Sequence, residues 1–212
     1  MRMDFTILMI FLFNNERRMS VNKLMGFLEL KEMDLPAVPW KQYGGSEKMD
    51  DHYLWTVRCA KYRGDDLNLP RCVGKDAETA TAFAEKLYRR INGIVVFYPY
   101  FIAEKSGTLL VSKDKIIIEA VHDDLWNLVT HGERDVTITY KEKSREYNGS
   151  RDFLSGDEQD NILSHVPEIR KKFRNVLFSK DILLEWSFAK NCDKNKKPVG
   201  NPYLVFYEAR TV

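Results

Sequence analysis

The stretch GIVVFYPYFIAEKSGTLLVSKDKIIIEAVHDDLWNLVTHGERD, residues 93–135, decides the fold class. Within it, 94–97 (IVVF) and 116–120 (IIIEA) are rich in β-branched residues and bounded by polar or turn residues, which predicts two strands. Lys105-Ser106-Gly107 reads as a break between them, with 109–111 as a further short strand. Residues 123–130 space Leu125, Trp126, Leu128 and Val129 as a helix would. Glu119 stands inside the second apolar run. It faces water at a strand edge, or it is buried against a cation, a metal or donors, because a bare buried carboxylate costs several kcal/mol.

Outward from this stretch the elements stay mixed. Residues 21–33 predict a helix capped by Ser20 and stopped by Pro36 and Pro39. Residues 53–62 (YLWTVRCAKY) predict a strand, and 76–91 predict the clearest helix, with Asp76 as its cap and Asn92-Gly93 at its end. A strand at 135–140, a polar connection at 141–151, and one helix or two across 155–173 around Pro167 follow. The last third reads as strands at 181–189 and 203–210 joined by a long loop, 191–202. Runs of strand and helix without regular alternation indicate an α+β chain.

A hydrophobic fraction of 44% marks a folded protein, and a net charge of +2 gives no basic excess for binding nucleic acid. Three scattered cysteines, Cys59, Cys72 and Cys192, fit reduced thiols and a cytoplasmic location. The apolar run 5–13 is too short for a membrane span of ~20 residues, so no membrane partner is expected. Residues 1–18 read as a buried strand or as an extension ahead of Met19. His52, His122 and His131 have no metal-ligand spacing, and Trp126 and Trp186 read as core.

Arg58, Glu119, Glu185, Glu208 and Arg210 all stand inside apolar strands. If such charges converge, their natural guest is a metal-bound polyphosphate: Mg²⁺ takes carboxylate and phosphate oxygens, and a guanidinium forks onto phosphate. The alternative is that they face outward from one-sided sheets.

Six short motifs, in order, carry a resemblance. Asn22-Lys23-Leu24-Met25-Gly26-Phe27-Leu28-Glu29-Leu30 with Leu35-Pro36-Ala37-Val38-Pro39, then Val57-Arg58-Cys59-Ala60, Lys105-Ser106-Gly107-Thr108, Ile118-Glu119-Ala120, Leu184-Glu185-Trp186, and Glu208-Ala209-Arg210-Thr211-Val212 resemble the ATP-grasp nucleotide-binding domain of the phosphoenolpyruvate synthase and pyruvate phosphate dikinase type. That resemblance implies an ATP-grasp-like α+β fold with mixed or antiparallel sheets and flanking helices. It divides the chain at 19–93 and 94–212. It implies ATP and Mg²⁺ as ligands, with Lys23 and Arg58 on phosphates, Glu119 near the nucleotide and Glu185 and Glu208 on Mg²⁺. Arg210 would touch the terminal phosphate, and Arg210 and Lys23 would carry any phosphotransferase or ligase-like chemistry. Tyr98 stands where the family has a hinge glutamine, and Glu208 where it has glutamine. The resemblance does not extend to that family's swivelling and pyruvate-binding domains, so the full family reaction is expected to need a protein partner. An oligomer, and a non-catalytic module for another anion or a protein, remain open.

Overall fold

The computed structural model describes residues 23–62, 69–142 and 144–212, with side chains for all of these except 23–25, 129 and 130. Two antiparallel sheets organise it. The smaller contains β1 (Lys41–Gln42), β2 (Trp55–Lys61), β3 (Cys72–Lys75) and β4 (Gly93–Pro99), in the order β1-β4-β2-β3. The larger has the order β10-β9-β5-β6-β7-β8, from β5 (Phe101–Val111), β6 (Lys115–His122), β7 (Val136–Lys141), β8 (Ser144–Gly149), β9 (Ile182–Cys192) and β10 (Pro198–Thr211). The chain changes sheet at Tyr100, after the division expected at 93/94. Residues 1–18 lie outside the described residues. Among the described residues no helix is long and apolar enough to cross a membrane.

The helices form where caps and apolar stripes dictate. Helix α2 (Ala77–Tyr88) begins where the Asp76 carboxylate accepts from Thr79 N at 2.8 Å, and it lays Ala80 and Ala84 on Val57 and Phe97 of the smaller sheet. Helix α3 (Trp126–His131) is a short turn after β6. Pro167 splits the expected 155–173 helix into α4 (Gly156–Ser164) and α5 (Val166–Lys172), and Ser155 and Glu158 form a capping box at the start of α4. Ile162 and Ile169 of these two helices pack on Leu109, Ile118, Ile138 and Leu184 of the larger sheet.

Helix α1 (Lys23–Glu32) ties the layers together, with Leu30 in that core and Phe27 in the one between the sheets. A Cβ placed on Gly26 would lie 2.0 Å from the Ala209 carbonyl oxygen, so α1 approaches β10 as closely as only glycine permits.

Three expectations are corrected. Lys105-Ser106-Gly107 is no break; it lies inside β5. Ser106 faces the space between the sheets, Lys105 points to the other face and pairs with Glu158 at 2.7 Å, and Gly107 makes room for the Trp186 indole and the Glu119 carbonyl. The polar connection 141–151 contains β8, an exposed edge strand with no apolar alternation to betray it. The loop 191–202 shrinks to a turn at 193–197, where Asp193 Oδ1 accepts from Asn195 N and Lys197 N at 2.8 Å each. Pro198 and Pro202 are tolerated in β10 because it is an edge strand whose register shifts between Val199 and Tyr203.

His165, at the joint of α4 and α5, gives a pH prediction. Burial pushes its imidazole below the ordinary value of 6.5, against a smaller upward pull from Asp34. The unfolded chain therefore binds the proton better, and stability is lost as pH falls below 6.5 towards the depressed folded value. The drop in Tm between pH 7 and pH 5 should be smaller in His165→Gln than in the wild type.

Candidate functional site

A cleft of about 790 Å³ separates the two sheets. A row of directly paired residues runs across the larger sheet, Glu119 on β6, Thr108 on β5, Glu185 on β9 and Glu208 on β10, and its Glu185 and Glu208 end forms the cleft floor. Directly paired antiparallel residues project to the same face, so this row is polar where the opposite face is core. Between Phe206 and Glu208 the ladder of β10 slips by one residue. That bulge turns two successive side chains, Tyr207 and Glu208, into the cleft.

The roof is β2 and β4. Thr56 and Arg58 of β2 pair with Tyr98 and Val96 of β4. Arg58 reaches across the gap, and its Nη2 donates to Glu208 Oε2 at 2.6 Å. Behind it the guanidinium lies 5.5 Å from the ring centroid of Phe27 on α1. The pair is deeply placed, with Arg58 16% and Glu208 3% exposed. Burial acts to lower the guanidinium's pKa, but Tyr98, Glu208 and Glu185 outweigh it and hold it above its ordinary value. Arg210, a third exposed, comes within 3.5 Å of Glu208 Oε1 and 4.0 Å of Glu185 Oε1. Arg58, Glu185, Glu208 and Arg210 thus form one connected cluster of two carboxylates and two guanidinium groups.

Tyr98 lines the cleft, but it is only 4% exposed and its ring stacks on Phe101 at 6.5 Å. Burial raises its pKa, with Arg58 opposing, so it stays a neutral phenol that steadies the guanidinium. Glu119 stands in the same row but does not line the cleft. Its carboxylate accepts from Thr108 Oγ1 at 3.3 Å and pairs with Arg134 at 2.9 Å. The Lys23 side chain lies outside the described residues.

Other cleft groups are not among the charged candidates. Ser106 Oγ donates to the Asp123 carbonyl at 2.6 Å and lies 2.8 Å from Ser187 Oγ, which is 3.4 Å from the Tyr207 hydroxyl. Burial and then Glu185 hold Tyr207 well above the ordinary phenol range, so its proton is retained. Trp126, expected in the core, lines the cleft and is 44% exposed, whereas Trp186 is fully buried.

Among the described residues no group of three or more His, Cys, Asp or Glu side chains gathers into a metal nest. The cleft instead offers two paired carboxylates beside two cations. That donor set fits Mg²⁺ carried on phosphate, which keeps one or two protein carboxylates and takes the rest of its oxygens elsewhere.

No family model matches the chain, and no curated protein matches it in sequence. Solved structures do match. The ADP complex of N5-carboxyaminoimidazole ribonucleotide synthetase overlaps 88% of this chain and 44% of its own, with a TM-score of 0.52 at 10% identity. An L-amino acid ligase from Bacillus licheniformis overlaps 89% of this chain and 39% of its own, with a TM-score of 0.45 at 16% identity. N5-carboxyaminoimidazole synthetase from Staphylococcus aureus overlaps 88% and 43%, with a TM-score of 0.44 at 13% identity. The chain spans less than half the length of each of these three. The first overlap carries the fold, which is ATP-grasp-like α+β, and at 10% identity it carries nothing finer.

Proposed function

We propose that the cleft of this ATP-grasp-like chain binds a nucleoside triphosphate as its Mg²⁺ complex, ATP by preference, and presents the terminal phosphate to an acceptor. The observation that carries this reading is the meeting of Arg58, Glu185, Glu208 and Arg210 in one cleft, although they are spread over more than two thirds of the sequence. Glu185 and Glu208 would hold Mg²⁺, which when bound neutralises phosphate charge. Arg58 forks onto inner phosphate oxygens, its orientation fixed by Phe27 and Tyr98. Lys23, at the start of α1, adds a point charge. Arg210, the more exposed cation, faces the terminal phosphate and the acceptor. In such a site the protein acts by positioning and by charge stabilisation, and no covalent step on its side chains is needed.

The narrower kinship with phosphoenolpyruvate synthase is part of this proposal. It is supported by the order of the six motifs and by the cluster that four of their charged residues form. On that reading the chain is a cytoplasmic phosphotransferase or ligase-like unit that works with a swivelling or acceptor domain, which a protein partner could supply. Glu119 then acts through the row it shares with Thr108 and Glu185, at one remove from the ligand.

Calorimetric titration with Mg–ATP tests the proposal. The wild type should bind, and Glu185→Ala should bind at least about tenfold more weakly, the scale expected when one charge-assisted contact is removed. The absence of heat in the wild type overturns the proposal. Heat with tripolyphosphate but none with ATP would favour a module for another anion.

A further inference from the structure

Trp40, Trp55 and Trp186 are at most 7% exposed, while Trp126 is 44% exposed in the wall of the cleft. An indole held out of the core forgoes the burial that fixes the other three. The corner that holds it is rigid. Asp123 takes φ 58, its N–H donates to the Glu104 carbonyl at 3.0 Å, and its carbonyl accepts from Ser106 Oγ. Asp124 Oδ1 then accepts from Trp126 N at 2.8 Å, and the buried Leu125 anchors the corner from below.

Arg71, on the segment leading into β3, reaches from the other sheet. Its guanidinium carbon stands 4.5 Å from the indole centroid. A surface cation–π pair of this kind contributes little, so it acts as a clasp that a better stacking partner can enter. The position along the cleft is informative. The corner is bonded to Glu104, whereas the carboxylate row crosses β5 at Thr108. With its second bond to Ser106, the corner sits two to four strand residues from the row, about 7–13 Å, so a base held there and phosphates held at the row belong to one ligand. Tyr98 is excluded as the platform because it is buried, with its ring stacked on Phe101.

We propose that Trp126 is the platform on which the nucleotide's base stacks, with Arg71 closing over the base from the opposite sheet. This rests on the nucleotide reading above and adds its selectivity. A flat indole and a flat guanidinium accept any aromatic base, and larger purine rings gain more from them than pyrimidines do.

The test compares Mg–ATP with Mg–tripolyphosphate, which lacks a base, on the wild type, Trp126→Ala and Trp126→Phe. In the wild type ATP should bind more tightly than tripolyphosphate. Trp126→Ala should weaken ATP about tenfold or more, the scale of one lost base–aromatic stack, and leave tripolyphosphate unchanged. Trp126→Phe should recover most of the loss. The quenching of tryptophan fluorescence by ATP should disappear in both variants. If Trp126→Ala changes neither ligand, or weakens both equally, the platform is overturned. If wild-type ATP binds no more tightly than tripolyphosphate, the platform falls while the phosphate site stands. If neither ligand binds the wild type, the nucleotide reading falls and the platform with it.

Discussion

Arg58→Met should destabilise the protein by about 3–5 kcal/mol in urea unfolding, the usual cost of removing one partner from a buried ion pair. Glu208 is only 3% exposed, and its 2.6 Å bond to Arg58 is much closer than the 3.5 Å approach of Arg210. Taking the guanidinium away leaves a carboxylate between two sheets with its nearer cation gone. The double variant Arg58→Met, Glu208→Leu should recover most of the loss, because a well-packed apolar pair commonly matches a buried ionic one. A cost below about 1 kcal/mol, the range of exposed pairs, would show that water reaches the pair freely. Both variants should lose Mg–ATP binding. Stability and ligand binding would thus separate in the double variant, as expected for charges kept for function.

Gly26→Ala should cost about 1–3 kcal/mol by overpacking, and it should also weaken ligand binding. The new methyl group meets the backbone oxygen of Ala209 at 2.0 Å, and a carbonyl cannot swing aside as a side-chain end can. Either α1 lifts from the sheet or β10 shifts. Ala209 lies between Glu208 and Arg210, so both responses disturb the cluster. Gly156→Ala is the control: nothing lies within 4 Å of the new carbon in the first turn of α4, and the change should be neutral or slightly stabilising. Equal melting temperatures for Gly26→Ala and the wild type would contradict the close approach of α1 and β10.

The legible part of the fold is the part written in periodicity and caps. β4 and β6 announce themselves by β-branched runs, β2 and β9 by their apolar and aromatic residues, and α2 by Asp76. β8 is hidden because an exposed edge strand needs no apolar residue. The middle of β5 is hidden because serine and glycine there serve a cleft and a tight approach, not a turn.

The same logic governs the site. A charge flanked by apolar residues marks a position where one sheet face meets something other than water, and that marks Arg58, Glu185, Glu208 and Arg210. It marks Glu119 equally well, yet Glu119 pairs with Arg134 instead. The pattern within one strand does not say how far the opposing sheet extends over the row. Trp126 and Arg71 lie outside the strand pattern altogether, and only the folding of the β6–α3 corner brings them face to face.

The seating of α1 on β10 also sets a timetable for a chain growing on the ribosome. Phe27 and Leu30 emerge early, but the strand that covers them follows about 180 residues later, roughly ten to forty seconds at ordinary translation speeds. Until then an apolar helix stripe is left bare in the cell, which makes the nascent polypeptide a natural client for holding chaperones.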